Sequence, residues 1–264
     1  MDGLLRGSKI VDSFHLPDPW HALRNHTPAR IALGRAGSSL PTREVLDFAL
    51  AHALARDAVH HPFDPHRLKN DLAPIDLPVF YLESAAPDRP TYLLRPDLGR
   101  KLSERSVEAL ASSQSPGQPD FDLSIILSDG LSALAAHRQI PLLLKALLPL
   151  LHPEGIRVAP LSIVPLARVA IQDEIGAAFS AKAALILLGE RPGLGSADSL
   201  GAYLVFNPRP GNTDANRNCV SNIRPEGLPP AAAAQTLTYL ITQSLRRQIS
   251  GVQLKDDRDP RILG

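Results

Sequence analysis

Glu190 and Cys219 are the two side chains whose types and positions most readily do chemistry. Both lie in the stretch 189–227, which is dense in glycine, proline and charge. Glu190 follows an apolar run at 183–188, about right for a buried strand and too short to cross a membrane. Ligands of open α/β sheets collect at the carboxyl ends of such strands, where an acidic residue can accept hydrogen bonds from hydroxyl or amide groups. Pairing with Arg191, or capping the next turn, would occupy the same carboxylate without a ligand. Cys219 is the single cysteine, so an internal disulfide and a cysteine-rich zinc site are both excluded. No histidine follows His152 and no base stands near Cys219, so the thiol reads as a packed or ligand-contacting group, not a nucleophile. Little in 189–227 could build a core; its polar and glycine content is expected to serve turns, a ligand or a partner.

Several familiar sites fail on spacing. Gly193 and Gly195 start like a dinucleotide fingerprint, but Asp198 stands where the third glycine belongs, and a plain turn is the better reading. The chain contains neither a phosphate-binding G-x-x-x-x-G-K-[ST] loop nor a G-x-S-x-G elbow. Seven of the nine histidines precede residue 67. Of these His60, His61 and His66 sit among Pro62, Asp64 and Pro65 without a regular helical face, which points to solvated or locally hydrogen-bonded roles. Asp173 and Glu174 fall on a short helix and read as its solvated face.

These residues must be positioned by elements, and the composition allows a substantial core. The chain has 264 residues, 44% hydrophobic and 21% charged, enough for one large domain or two modest ones. A formal charge of +1 leaves no electrostatic footprint for nucleic acid or an anionic membrane, and 5% aromatic content argues against base-stacking platforms. The start Met1-Asp2-Gly3 lacks the basic and apolar regions of a secretory signal, so a cytoplasmic location is expected.

Residues 1–28 read as an arm, and 29–115 as a smaller, largely helical and extended region. Within it Leu46, Ala49, Leu50, Ala53 and Leu54 form a helical stripe, with Thr42 as N-cap and Pro62 ending the helix. Residues 78–82 and 91–94 read as short strands and 107–111 as helix, followed by a linker at 112–119. From 120 to 264 strand and helix alternate. Strands are expected at 123–127, 156–160, 184–188 and 202–206. Helices are expected from 131 to 138, from Pro141 to 151, at 168–178, and at 231–249 with Gly251 as C-cap. Such alternation implies an α/β, Rossmann-like, mostly parallel sheet with right-handed crossovers.

Three motifs together carry a family resemblance. Residues 168–173 (RVAIQD), 189–194 (GERPGL) and 217–227 (RNCVSNIRPEG) resemble the small subunit of ethanolamine ammonia-lyase, and 27–37, 51–60 and 123–130 also fit. The resemblance covers nearly the whole chain after about residue 20. It implies an adenosylcobalamin-dependent radical lyase that converts ethanolamine to acetaldehyde and ammonia. The small chain then assembles with a large, barrel-shaped subunit that holds the substrate, and covers the lower, nucleotide-bearing side of the corrinoid. By motif matching, the cofactor contacts carry over to Val169, Glu190 and Cys219, with no catalytic or metal-ligating residue here, and 120–264 becomes the cobalamin-binding domain. Asp64 and His66 begin an Asp-x-His-x-x-Gly pattern that Lys69 breaks, so the cofactor is expected to keep its own benzimidazole on cobalt. The cytoplasm or a bacterial microcompartment within it is the implied setting. A stand-alone α/β nucleotide-binding enzyme using Glu190 and Arg191 is the competing reading.

Overall fold

The computed structural model describes residues 15–16, 18–113 and 121–258. They fall into two compact units, the first made of residues 1–57 with 193–195 and the second of the remainder.

In the first unit, β1 (His15–Leu16) pairs antiparallel with β2 (Arg35–Ala36), and most of helix α1 (Thr42–His60) follows. Arg24 reaches Glu44 at 3.2 Å. Thr42 is the first residue inside α1 and not the residue capping it, since Val45 N already donates to Pro41 O. The leucine stripe forms as the spacing requires, yet Leu46, Leu50 and Leu54 are 62%, 61% and 55% exposed.

The second unit is an α/β sheet of six strands in the order β3-β5-β4-β6-β7-β8. Strands β3 (Val79–Tyr81), β5 (Leu161–Ile163), β4 (Leu123–Ser128) and β6 (Ala183–Gly189) are mutually parallel. β7 (Leu200–Phe206) runs antiparallel to β6 and to β8 (Arg217–Ile223). The central strands are apolar on both faces because helices cover both. Ala183, Leu185 and Leu187 of β6 face one core with α5 (Ala133–Leu151) and α7 (Pro230–Arg247). Ala184, Ile186 and Leu188 face a second core with α6 (Ile171–Ala178).

Several local expectations are overturned. Residues 91–94 are not a strand but lie in helix α3 (Arg89–Leu94), because Asp88 accepts from Thr91 N as N-cap and Pro90 suits the first turn. The strand expected at 156–160 lies later, at β5, and Val158 makes only an isolated bridge to Leu123. Pro141 does not start a new helix; α5 runs through it and Pro149, and ten buried residues outweigh the local loss of about 3 kcal/mol. Although α5 is long and apolar enough to cross a membrane, half of that stretch is buried inside this chain. α7 ends at Gln248 in the left-handed region (φ 57°), so Gly251 is not its cap. The helix expected at 107–111 is α4 (Glu104–Ser113). Most of the linker expected at 112–119 lies outside the described residues.

The stretch 189–227 is also less loop-like than its composition suggests. It contains β7 and β8, whose Leu200, Ala202, Leu204, Val220 and Ile223 are buried in the core. A strand on an open sheet face needs only alternate apolar residues, which is why β8 is inconspicuous in sequence.

Candidate functional site

Glu190 is the first residue beyond β6, at the carboxyl edge of the parallel strands. Its main chain is held by Glu190 N donating to Ser199 O at 2.9 Å. Its Oε2 accepts from the Ser199 hydroxyl at 2.5 Å and from Asn222 N at 3.3 Å. Oε1 has no hydrogen-bond partner among the described residues, so a half-buried carboxylate is fixed through one oxygen and presents the other. Arg191 makes no ion pair with it, and the local reading in which Arg191 uses up the carboxylate is not realised.

The floor beneath that carboxylate is Gly201. A Cβ placed there would come to 3.0 Å from Glu190 Oε1 and from Tyr203 Cε2. Tyr203 in turn stands opposite Cys219 in the β7–β8 ladder, which places the phenol and the thiol on one face, each influencing the other's proton affinity. Glu190, Tyr203 and Cys219 therefore share one patch. Val169 lies in the turn that leads into α6, half-buried against the same apolar cluster as Tyr203. The three residues singled out in the sequence thus lie on the α6 side of the sheet.

Cys219 does not sit in a polar loop, as its surroundings in sequence suggest; it is inside β8. Of the two readings of the thiol, packed or ligand-contacting, full packing is not realised, since the residue is exposed. Burial of the thiol's inner side pushes its pKa up, the Tyr203 hydroxyl pulls it back, and the Glu190 charge raises it again. The thiol is consequently protonated near neutral pH and a poor nucleophile. Tyr203 is raised too, chiefly by burial. The patch thus presents one unpartnered carboxylate oxygen, a phenol and a protonated thiol on a shared face.

A buried strut supports it. Asp173 is 4% exposed and not on a solvated face. It accepts from Arg217 Nη2 at 2.5 Å and from Asn212 Nδ2 at 3.0 Å, tying α6 to β8 two residues before Cys219. Burial raises the Asp173 carboxyl above its ordinary value, with Asn212 and Arg217 pulling the other way. Glu174 accepts from Leu102 N at 2.8 Å. Asp64 caps α2 (Pro65–Asp71) through His66 N and Arg67 N, and the His66 ring lies 5.1 Å from Tyr81. Asp198, at the failed glycine position, pairs with Arg138 at 3.0 Å.

Ser199, Gly201, Tyr203 and Asn222 belong to the patch and were not singled out by sequence. Alternation along 201–203 puts Gly201 and Tyr203 on one face, but their meeting with Glu190 and Cys219 depends on strand register.

The family description "Ethanolamine ammonia-lyase light chain (EutC)" matches residues 17–255 of this chain. A protein named ethanolamine ammonia-lyase small subunit from Pseudomonas fluorescens (strain SBW25) is 51% identical over 249 residues, 94% of this chain and 90% of the relative. A protein of the same name from Azotobacter vinelandii (strain DJ / ATCC BAA-1303) is 53% identical over 242 residues, covering 92% and 90%. A third, from Ralstonia nicotianae (strain ATCC BAA-1114 / GMI1000), is 50% identical over 246 residues, covering 93% and 91%. With a family match across most of its length and relatives at half identity, this chain belongs to the ethanolamine ammonia-lyase light-chain family.

Proposed function

We propose that this chain is the cofactor-positioning subunit of an adenosylcobalamin-dependent ethanolamine ammonia-lyase in the cytoplasm, active only when assembled with a large subunit that holds ethanolamine. When bound, the cofactor supplies the radical that starts the reaction. This chain's own residues bind and orient. The observation that carries the reading is the fixed, half-open Glu190 carboxylate beside Tyr203, with Cys219 exposed on the same face.

The residues fit an amphipathic nucleotide arm. Glu190 Oε1 can accept a ribose hydroxyl or a side-chain amide of the corrin. Val169 offers an apolar wall, and the small Cys219 lets a ring approach the strand closely. Asp64 caps a helix and His66 lies against Tyr81, so neither residue would replace the base that the cofactor itself carries.

Ultraviolet–visible titration tests the proposal. Adenosylcobalamin should bind saturably when large and small chains are mixed, with ammonia released only by the mixture. Ammonia release by the small chain alone, or tight binding of an adenine nucleotide and not of cobalamin, would replace this reading with that of a stand-alone nucleotide-binding protein.

A further inference from the structure

Arg168, next to Val169, makes no ion pair among the described residues, yet it is half-buried and held in place from several sides. Its main-chain N donates to Gly99 O at 2.7 Å, and its Nη2 donates to Tyr92 O at 3.2 Å. The guanidinium carbon lies 4.2 Å from the centre of the Tyr92 ring. Its aliphatic stem crosses Gly99 so closely that a Cβ there would stand 2.8 Å from Arg168 Cγ. Tyr92 itself is fully buried, with its hydroxyl donating to Ala167 O at 3.1 Å. Arg168 Nε is buried and has no partner.

Arg89 provides the contrast. It stacks on the same ring at 5.3 Å, but its charge is met by Asp129 at 2.7 Å. Asp129 is thereby occupied, so the cluster of Arg89, Arg168 and Asp129 carries a net positive charge of one. Partial burial of an unmatched cation is costly, and stacking on an aromatic face offsets only part of that cost. With Nε buried and one Nη2 hydrogen given to Tyr92 O, the Nη1 and remaining Nη2 donors of the pinned guanidinium are the ones an oxyanion could meet.

We infer that Arg168 holds a phosphate group, and that the phosphate is the phosphodiester in the nucleotide arm of the cofactor. The inference rests on the function proposed above, and it adds a residue and a chemical role to it. Arg168 enters a turn beyond β5 while Glu190 leaves β6, so the two are separated across the sheet's carboxyl edge by the width of β4. An arm with a phosphate near one end and hydroxyl groups farther along suits that spread. Tyr92 and Gly99 act as positioning residues, because they set the guanidinium without reaching the ligand.

The test uses the assembled two-chain complex with adenosylcobalamin and with adenosylcobinamide, which lacks the nucleotide and its phosphate. R168Q should weaken adenosylcobalamin binding about 10- to 100-fold, the range for losing a charge-assisted hydrogen bond. It should leave adenosylcobinamide binding unchanged, and R168K should recover part of the loss. Equal weakening of both ligands, or of neither, overturns the inference. Inorganic phosphate distinguishes the other source: if it raises the melting temperature of wild type but not of R168Q, while cobalamin affinity is the same in both, the site serves free phosphate and the assignment falls. Wild-type complex that binds neither corrinoid would instead remove the proposed function. Should R168Q not fold, phosphorus NMR decides between wild type and R168K. A phosphodiester resonance shifted in bound wild type and nearer its free position in R168K supports the contact; identical shifts in both overturn it.

Discussion

Gly201 lies under the carboxyl group of Glu190: a Cβ on Gly201 would stand 3.0 Å from Oε1 and 3.2 Å from Cγ. The oxygen that would be crowded is the one left free to meet a ligand, whereas Oε2 is tied to Ser199. Gly201→Ala should therefore push Glu190 and the Tyr203 ring aside while the strand stays paired. We expect a stability loss of about 1–3 kcal/mol, typical of overpacking, and a weaker hold on cobalamin. Thermal melting and cofactor titration of the assembled complex check the two effects separately. Unchanged cofactor affinity with the methyl in place would show that Oε1 is not a contact.

Cys219 should alkylate slowly at neutral pH despite its exposure, because burial of the thiol's inner side holds the proton on. The raised value means that the folded chain binds this proton more tightly than the unfolded chain. Its stabilising contribution is therefore complete below the ordinary thiol range, near ~8.5, and is lost as pH rises above it. Iodoacetamide rates measured against pH should climb only above that range. Tyr203→Phe removes the hydroxyl that favours thiolate, so its rate profile should move further alkaline. Saturating adenosylcobalamin on the assembled complex should protect Cys219 from the reagent.

The Asp173–Arg217 pair is a structural strut whose halves depend on each other. Asp173→Asn keeps the shape but leaves the Arg217 charge buried without a matching anion. We expect a loss of about 3–5 kcal/mol, as for other broken buried pairs. Removing both charges together, with Asp173→Asn and Arg217→Met, should cost less than the sum of the two single changes. Denaturant unfolding of the four proteins completes a double-mutant cycle; strict additivity would contradict a direct partnership.

Leucines of equal helical regularity should differ widely in their effect on stability. Leu143 in α5 is fully buried, and Leu143→Ala should cost about 2–5 kcal/mol. Leu50 in α1 is 61% exposed, and Leu50→Lys should shift stability by less than about 0.5 kcal/mol. Melting of the isolated chain measures both.

The same pair of helices shows what sequence conveys and what it withholds. Spacing alone identifies α1 and α5 as helices, because a 3.6-residue repeat is a local property. It does not say which apolar stripe is covered, since that depends on segments far away in the chain. The α/β sheet was legible from the long apolar strands β4 and β6, whose two faces both need cover. Residues 91–94 look like a strand because Thr91 and Tyr92 favour extended backbone, but the Asp88 cap and Pro90 beside them decide for helix. β8 was hidden by its polar outer residues. Glu190 was legible as a strand-end acid; its fixation by Ser199 and Asn222 was not, because antiparallel register brings those residues back over β6.

The most direct test of the central claim is the structure of the two-chain assembly with adenosylcobalamin bound. The nucleotide arm should lie on the α6 side of β6–β7–β8, touching Val169, Glu190 and Cys219, with benzimidazole still on cobalt. An arm resolved away from all three residues, with that face covered by protein or solvent, would contradict the account.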